Sequence, residues 1–390
     1  MSIISVYNKW ITLSAGVLAV LSAMVSCDSH NVPIKSIPEI IIADNMERIP
    51  LEKFDSLFNF SRYIIPQLTD KSILDKINKV YFFDDKLYVM HGNSTISMFD
   101  SIGRFVRNYS YIGQGPGEYI SAEDFDINEN AIFILSRNKI YKYNLNGDFI
   151  DVVELDNAAQ SLCLLSEGIA LNNGFGYGSK ITKSNNSYSY VGKGPTVNAI
   201  EFNKALLGNS FVNNNLVGKF FSDGKTNFTY FPFNDTIYRI VSSDGRIAPL
   251  VSLKIGNRKR NINKETSVEE VRRIKNSGVA KSIYSTYKFG DKILFSYSSD
   301  GRPKIALISL DGDVLMNGCQ GDDSRGLPVF LSDLHSNKNY DEVLSIVPSS
   351  LLKDIASDKE NLTDYPILKR ISQSITEEGN PVFVFYKIKF

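Results

Sequence analysis

The chain has 390 residues, and its 43 Lys+Arg balance 43 Asp+Glu, a neutrality that excludes a bulk electrostatic partner such as duplex nucleic acid. With 43% hydrophobic residues, 26 Gly and 13 Pro, it is a folded globular protein, neither disordered, collagenous nor multi-spanning. Three Cys are too few for a disulfide framework, and three His leave little material for a zinc site.

Lys9 is the one charge among the first ten residues, and it precedes Ile11 to Ser26, an uncharged run of sixteen. A transmembrane helix needs about 20 apolar residues, so this run reads as the apolar region of an export signal. Met24-Val25-Ser26-Cys27 resembles the lipobox of bacterial lipoproteins. The resemblance implies a signal peptide over 1–26, lipidation of Cys27 and a polar tether over 27–37, opening with Asp28-Ser29-His30-Asn31. Several acyl chains on one cysteine suffice for stable attachment. The competing reading is an ordinary signal peptide with an incidental cysteine, or an uncleaved anchor. Cleavage removes Trp10, the sole Trp, and leaves Cys163 and Cys319, which read as small buried hydrophobes before they read as a single disulfide.

Past residue 75, short alternating apolar runs separated by Gly, Asn and Asp predict antiparallel strands. Four runs share one signature, an Ile followed seven or eight residues later by a turn glycine: Ile96 with Gly103, Ile140 with Gly147, Ile237 with Gly245, and Ile305 with Gly312. Asn146-Gly147, Asp244-Gly245 and Asp311-Gly312 are hairpin turns that tolerate positive φ, so the repeated unit is two outer strands and their turn. If the second interval skips one unit and the third holds an insertion, the steps average about 52 residues, near the period of propeller blades. Ser267-Val268-Glu269-Glu270 is a capping box that opens a helical insertion near 263–277.

Asn108 to Pro116 aligns without gaps on Ser187 to Pro195, with six of nine residues identical. Each segment is expected to end an outer strand and carry the chain to the next blade. The expected blades run over 77–112, 122–155, 160–191, 211–256 and 281–318. A sixth is assembled from Glu342 to Val347, Pro381 to Phe390 and an N-terminal segment near Arg62 to Gln67. Strands from both termini in one blade close the ring and leave no free edge. The expected fold is all-β, a six-bladed β-propeller over 38–390.

Gly113-Gln114-Gly115-Pro116-Gly117-Glu118-Tyr119 and the late Asn380-Pro381-Val382-Phe383-Val384-Phe385-Tyr386-Lys387 resemble segments of the six-bladed β-propeller lipoproteins abundant in Bacteroidetes. That resemblance implies an NHL-like propeller, exported and associated with the outer membrane. It carries no catalytic residue across.

Gly113 to Gly117 could form an anion nest, but it lacks the Gly-Lys-Ser/Thr ending of a P-loop and reads as a turn. Were these loops to share one propeller face, Glu118, Tyr119 and Lys193 would edge a common binding surface. Asp124 and Asp126 fall on the same side of a predicted inner strand, and Ca²⁺ is the cation two carboxylates would begin to serve, although it wants several oxygens. His30, His91 and His335 are expected in a tether, a strand and a loop, with no metal-ligand spacing. The basic stretch from Arg258 to Lys275 is offset by Glu265, Glu269 and Glu270, and the repeated tyrosines read as cross-strand packing before they read as a sugar platform. The expected function is an envelope-anchored binding or interaction module. Its partners would be the membrane through Cys27 and an envelope protein or glycan. The alternative is an NHL-like lyase or hydrolase with a metal or carboxylate site on the propeller axis.

Overall fold

A computed structural model describes residues 37–43, 47–92, 94–173, 186–192, 197–201, 219–231, 234–256, 262, 265–276, 283–299, 302–319, 324–332, 334–335 and 342–389. The export signal and lipobox, nearly all of the tether, and Lys193 lie outside these residues.

The domain from Pro38 onward is a six-bladed β-propeller. The chain enters through β1 (Glu39–Ile42), α1 (Leu51–Leu57) and β2 (Phe58–Ile64). Blade 1 is β3 (Ile77–Phe83), β4 (Lys86–His91), β5 (Thr95–Asp100) and β6 (Phe105–Tyr109). Blade 2 is β7 (Asp124–Ile127), β8 (Ala131–Ser136), β9 (Lys139–Asn144) and β10 (Phe149–Glu154). Blade 3 is β11 (Ala159–Leu165), β12 (Gly168–Asn173), β13 (Asn186–Gly192) and β14 (Val197–Glu201). Blade 4 is β15 (Lys219–Ser222), β16 (Asn227–Tyr230), β17 (Thr236–Ile240) and β18 (Ile247–Ile255), followed by α2 (Val268–Asn276). Blade 5 is β19 (Ile283–Phe289), β20 (Lys292–Ser299), β21 (Arg302–Ser309) and β22 (Val314–Cys319). The C-terminal segment adds β23 (Leu331–Ser332), β24 (Leu334–His335), β25 (Glu342–Val347), α3 (Ser349–Ser357), α4 (Pro366–Ser374) and β26 (Val382–Ile388). Neighbouring blades meet along their first strands, which surround the axis.

Blade 6 has the order β23-β25-β26-β2, so the ring closes by pairing an N-terminal strand with three C-terminal ones. The sequence of β26 explains its central place. Val382, Val384 and Tyr386 point into the cluster shared with blade 5, while Phe383 and Phe385 point into the cluster shared with blade 1. Each fully buried side chain of this size contributes about 1.5–3 kcal/mol. The Arg62 guanidinium lies 3.9 Å from the centre of the Phe385 ring and 4.6 Å from that of Phe82, and donates to Glu342 at 3.0 Å. Asn380 ties the blade to the loop before β3, accepting from the Leu74 amide at 2.8 Å and donating to the Ser72 carbonyl at 2.7 Å.

The Ile signature falls on the third strands β5, β9, β17 and β21, and its glycines all have positive φ in the turns that follow. At Gly147 and Gly245 the requirement is also steric, because a Cβ would collide with Tyr111 and Tyr190 respectively. The capping box forms as expected, with the Glu270 amide donating to Ser267 Oγ at 3.2 Å.

Three expectations need correction. The repeated segments do not occupy equivalent places: Tyr109 ends the outermost strand of blade 1, whereas Tyr188 and Tyr190 lie on β13, a third strand that β14 follows within the same blade. Blade 3 therefore reaches residue 201. His335 lies in β24, which pairs in parallel with the axis-facing edge of β3. Finally, the blade 6 material includes helices α3 and α4, whose Leu352, Ala356, Leu368 and Ile371 fill the cluster between blades 5 and 6. Their starts carry helix signals, Pro348 as the cap of α3 and Pro366 in the first turn of α4.

Candidate functional site

Two of the regions that gather polar side chains involve blade 2. The first lies beside the axis. In Asp124-Phe125-Asp126-Ile127 the strand alternation turns Phe125 and Ile127 toward blade 1 and both carboxylates toward blade 3. Asp124 Oδ2 accepts from the Leu162 amide of β11 at 2.9 Å, and Asp126 Oδ2 accepts from the Leu164 amide at 2.8 Å. Their other oxygens accept from the Phe125 and Ile127 amides at 2.8 and 2.7 Å. From blade 1, Lys79 Nζ donates to Asp124 Oδ1 and to the Phe125 carbonyl, each at 2.8 Å, and the Tyr81 hydroxyl donates to Asp126.

The two aspartates thus bridge three blades. Burial lifts the Asp126 pKa, against the pull of Lys79 and of its hydrogen bonds. Burial works against the Lys79 charge, but Asp124 and Asp126 outweigh it and raise its pKa. The Cys163 thiol beside them is held well above its ordinary value, first by burial and then by Asp126, which makes it an inert thiol. Every carboxylate oxygen is engaged, so the group can fix blades but offers no free base. Among the described residues no three His, Cys, Asp or Glu side chains are placed to hold a metal ion.

The second region is the outer seam between blades 1 and 2. Its rows follow the register: Tyr81, Tyr88, Met98 and Arg107 lie directly opposite one another across β3 to β6. The Tyr109 hydroxyl donates to the Leu145 carbonyl and the Tyr111 hydroxyl to the Gly147 carbonyl, both at 2.7 Å. Tyr111 stacks on Tyr143 with ring centroids 4.5 Å apart. Arg107 donates from Nη1 to the Asn146 carbonyl, while its Nε is buried without a hydrogen-bond partner.

The loop between β6 and β7 does not present Glu118 and Tyr119 side by side. Glu118 is exposed and folds back to accept from the Gly115 amide at 2.8 Å. Tyr119 is fully buried in the blade 1–2 cluster and donates to the Ser94 carbonyl at 3.1 Å, with burial pushing its pKa up to about 12. Asp124 and Asp126 do come together, as the alternation implies. Arg107 is the residue that sequence reading passes over. Its signal is a cation on the strand face that carries Tyr109, opposite Met98.

The family model described as Domain of unknown function (DUF4934) matches residues 37–387. No curated protein matches the chain. A Bacteroides fragilis protein described as a candidate exported protein has a solved structure that is 18% identical, with a TM-score of 0.65 over 90% of this chain and 100% of that one. The extracellular domain of a candidate one-component system of B. thetaiotaomicron matches at 8% identity and a TM-score of 0.37, over 66% of this chain and 29% of that one. The Neurospora crassa Pan2 WD40 domain matches at 9% identity and a TM-score of 0.39, over 70% and 74%.

Proposed function

We propose that this chain, which belongs to the DUF4934 family, is an NHL-like propeller lipoprotein that works as a binding or interaction module at the bacterial envelope, held to the membrane by lipid on Cys27. The observation that carries this reading is the use made of the axis. Lys79, Tyr81, Asp124 and Asp126, the ionisable groups a lyase or hydrolase would draw on, are consumed in joining blades 1, 2 and 3. A closed ring whose described charges beside the axis of blades 1 to 3 are spent acts through its surface. The exported description of the Bacteroides fragilis neighbour and the lipobox agree on the address.

The test expresses the full chain in a Gram-negative host, fractionates it, and measures its metal content. The expected outcome is membrane partitioning that Cys27→Ala abolishes, with substoichiometric metal in the purified protein. A soluble wild-type chain overturns the anchor, and one metal ion per chain favours the axis enzyme instead.

A further inference from the structure

We infer that the outer edge of β10 in blade 2 is a docking site for an extended, basic segment of a partner protein, which adds to the blade as a fifth strand. The inference deepens the module reading and rests on it. β10 pairs with β9, and no described strand lies on its other side. The Leu155 amide donates to the Asn138 carbonyl at 2.8 Å, and the register from Asp151 to Glu154 is unbroken. By antiparallel alternation, Asp151 and Val153 turn their backbone groups toward β9, while Val152 and Glu154 turn theirs outward. Asp151 Oδ1 takes the Val152 amide at 2.8 Å. The Val152 carbonyl and the amide and carbonyl of Glu154 remain facing out from the edge. The same strand exposes apolar side chains: Phe149, Ile150 and Val153 are 42%, 48% and 37% exposed. The Phe149 ring is fixed in place, 5.8 Å from that of Tyr143 between centres and packed on Gly117, where a Cβ would come within 2.7 Å of it. Large apolar residues beside open backbone are the composition of a strand that another chain completes.

Blade 4 shows what such completion takes. There β1, four residues long, adds to the outer edge of β18, buries Ile40 and Ile42, and pairs Glu39 with Lys254 at 2.8 Å. β10 offers the same combination with the charge reversed. Residues 148–156 hold four exposed acids, Asp148, Asp151, Glu154 and Asp156, and no base. Lys139 holds Glu154 at 2.9 Å, whereas Asp148 and Asp151 make hydrogen bonds to Asn144 and Val152 and no ion pair among the described residues. These acids decide the occupant. A second copy, docked by two-fold symmetry, would bring β10 against itself and set like charges side by side. An extended segment carrying basic and apolar residues meets the carboxylates with cations and the exposed Phe149 and Val153 with apolar surface, while its backbone takes up the outward groups of Val152 and Glu154.

The experiment measures, by fluorescence anisotropy, binding to the full chain of a labelled peptide of alternating lysine and valine. Beside it run a glutamate and valine peptide and the lysine peptide N-methylated at alternate amides, which keeps charge and side chains but cannot form a ladder. Saturable binding of the lysine peptide is expected, about tenfold or more tighter than that of the other two. Val152→Pro, at an outward-facing position of an edge strand, keeps the ladder to β9 and should abolish binding while the chain still unfolds cooperatively. Asp151→Asn combined with Glu154→Gln keeps an oxygen on the Val152 amide, removes two charges, and should weaken binding several-fold. That double variant and the N-methylated peptide decide the matter if the proline variant does not fold. No binding of the lysine peptide, equal binding of either control peptide, unchanged binding by the double variant, or unchanged binding by a folded Val152→Pro would each overturn the site. A dimer in sedimentation that Val152→Pro dissolves would give the edge to a second copy and overturn the basic partner. Membrane partitioning and metal content, which test the module reading, are independent of all these outcomes, so the two fail separately.

Discussion

Blades 4 and 5 have their outer edges covered by backbone and blade 6 takes its outer strand from the N-terminal segment, whereas the edges of blades 1 and 2 are blunted by side chains. In the first group, β1 pairs in parallel with β18, Glu39 opposite Ser252 through Ile42 opposite Ile255. The chain then crosses β22, where the Cys319 amide donates to the Glu47 carbonyl at 2.8 Å and the Ile49 amide to the Cys319 carbonyl at 3.2 Å. It goes on to supply β2 as the outer strand of blade 6. Residues 38–43 and 47–64 are therefore a strap along blades 4, 5 and 6. In the other group, no described strand pairs with the outer edge of β6, β10 or β14. Gln67 Oε1 takes the Phe105 amide of β6 at 3.0 Å, and Asp151 Oδ1 takes the amide of Val152 in β10 at 2.8 Å. Such side-chain stops protect an edge without filling it. The seams differ in the same sense, uncharged and mainly apolar in the cluster between blades 5 and 6 and built from Lys79, two aspartates and tyrosines between blades 1 and 3. The N-terminal segment thus ties blades 4, 5 and 6 together along their outer sides, while blades 1 to 3 are tied to one another at the axis by Lys79, Asp124 and Asp126.

The largest test removes what both halves share. Truncation before Val382 deletes the strand on which β2 and β25 both pair, and the whole ring should lose its cooperative unfolding transition by circular dichroism. A truncated chain that melts like the wild type would show that closure is not through blade 6. Next in size, Asp124→Asn leaves Lys79, with only 11% of its side chain exposed, beside an uncharged group. That should cost about 3–5 kcal/mol in urea denaturation. A loss under about 1 kcal/mol would place the stability of blades 1 to 3 in their tyrosine packing rather than in the ion pair.

Part of this contrast is legible in the sequence and part is not. The turns at Gly103, Gly147, Gly245 and Gly312 mark third strands because positive φ and a following strand are local properties. The closing strand Val382–Ile388 is legible because burial on both faces demands an unbroken apolar run. The strap is not, since Glu39-Ile40-Ile41-Ile42 shows that it is a strand but carries nothing to say that its partner stands more than two hundred residues on. The same limit hides the role of Asp124 and Asp126. Their shared side follows from alternation, but the β11 amides that occupy them are brought there by ring geometry. Helices α3 and α4 are missed for another reason: each is short, and its apolar face completes a cluster whose other side is sheet. Arg107 and Tyr88 become neighbours only through the register of β4 to β6.

The strap itself can be loosened separately. Ile40 is 1% exposed and packs in the cluster between blades 4 and 5, so Ile40→Ala should cost about 2 kcal/mol, the low end for a buried Ile where an edge strand can settle inward. Hydrogen exchange localises the effect. The Ser252 and Gly256 amides, which donate to Pro38 and Ile42, should exchange faster, while amides of blade 2 keep their rates. Uniform acceleration throughout the ring would mean that the strap is a full part of the global fold and that the two halves unfold as one.

The smallest effect belongs to the unstrapped half and depends on pH. His91 is buried at the end of β4, and its Nε2 lies 2.8 Å from Ser97 Oγ, which in turn donates to Asn108 Oδ1 at 2.7 Å. With that hydroxyl proton committed to Asn108, the imidazole must be the donor to Ser97, a role that the neutral and charged rings both fill. Protonation therefore leaves this contact intact, and burial lowers the His91 pKa below its ordinary 6.5, partly opposed by Asp75. A depressed histidine stays neutral in the fold while the unfolded chain takes up its proton, so the contribution is fully present above about pH 6.5 and is lost as pH falls toward the folded value. The slope for one such group is at most about 1.4 kcal/mol per pH unit. Denaturation of wild type and His91→Gln at pH 7.5 and 5.5 measures it, since the variant, whatever its stability at each pH, should show the smaller change between them. An equal change in both chains would assign the acid sensitivity of blade 1 to its carboxylates instead.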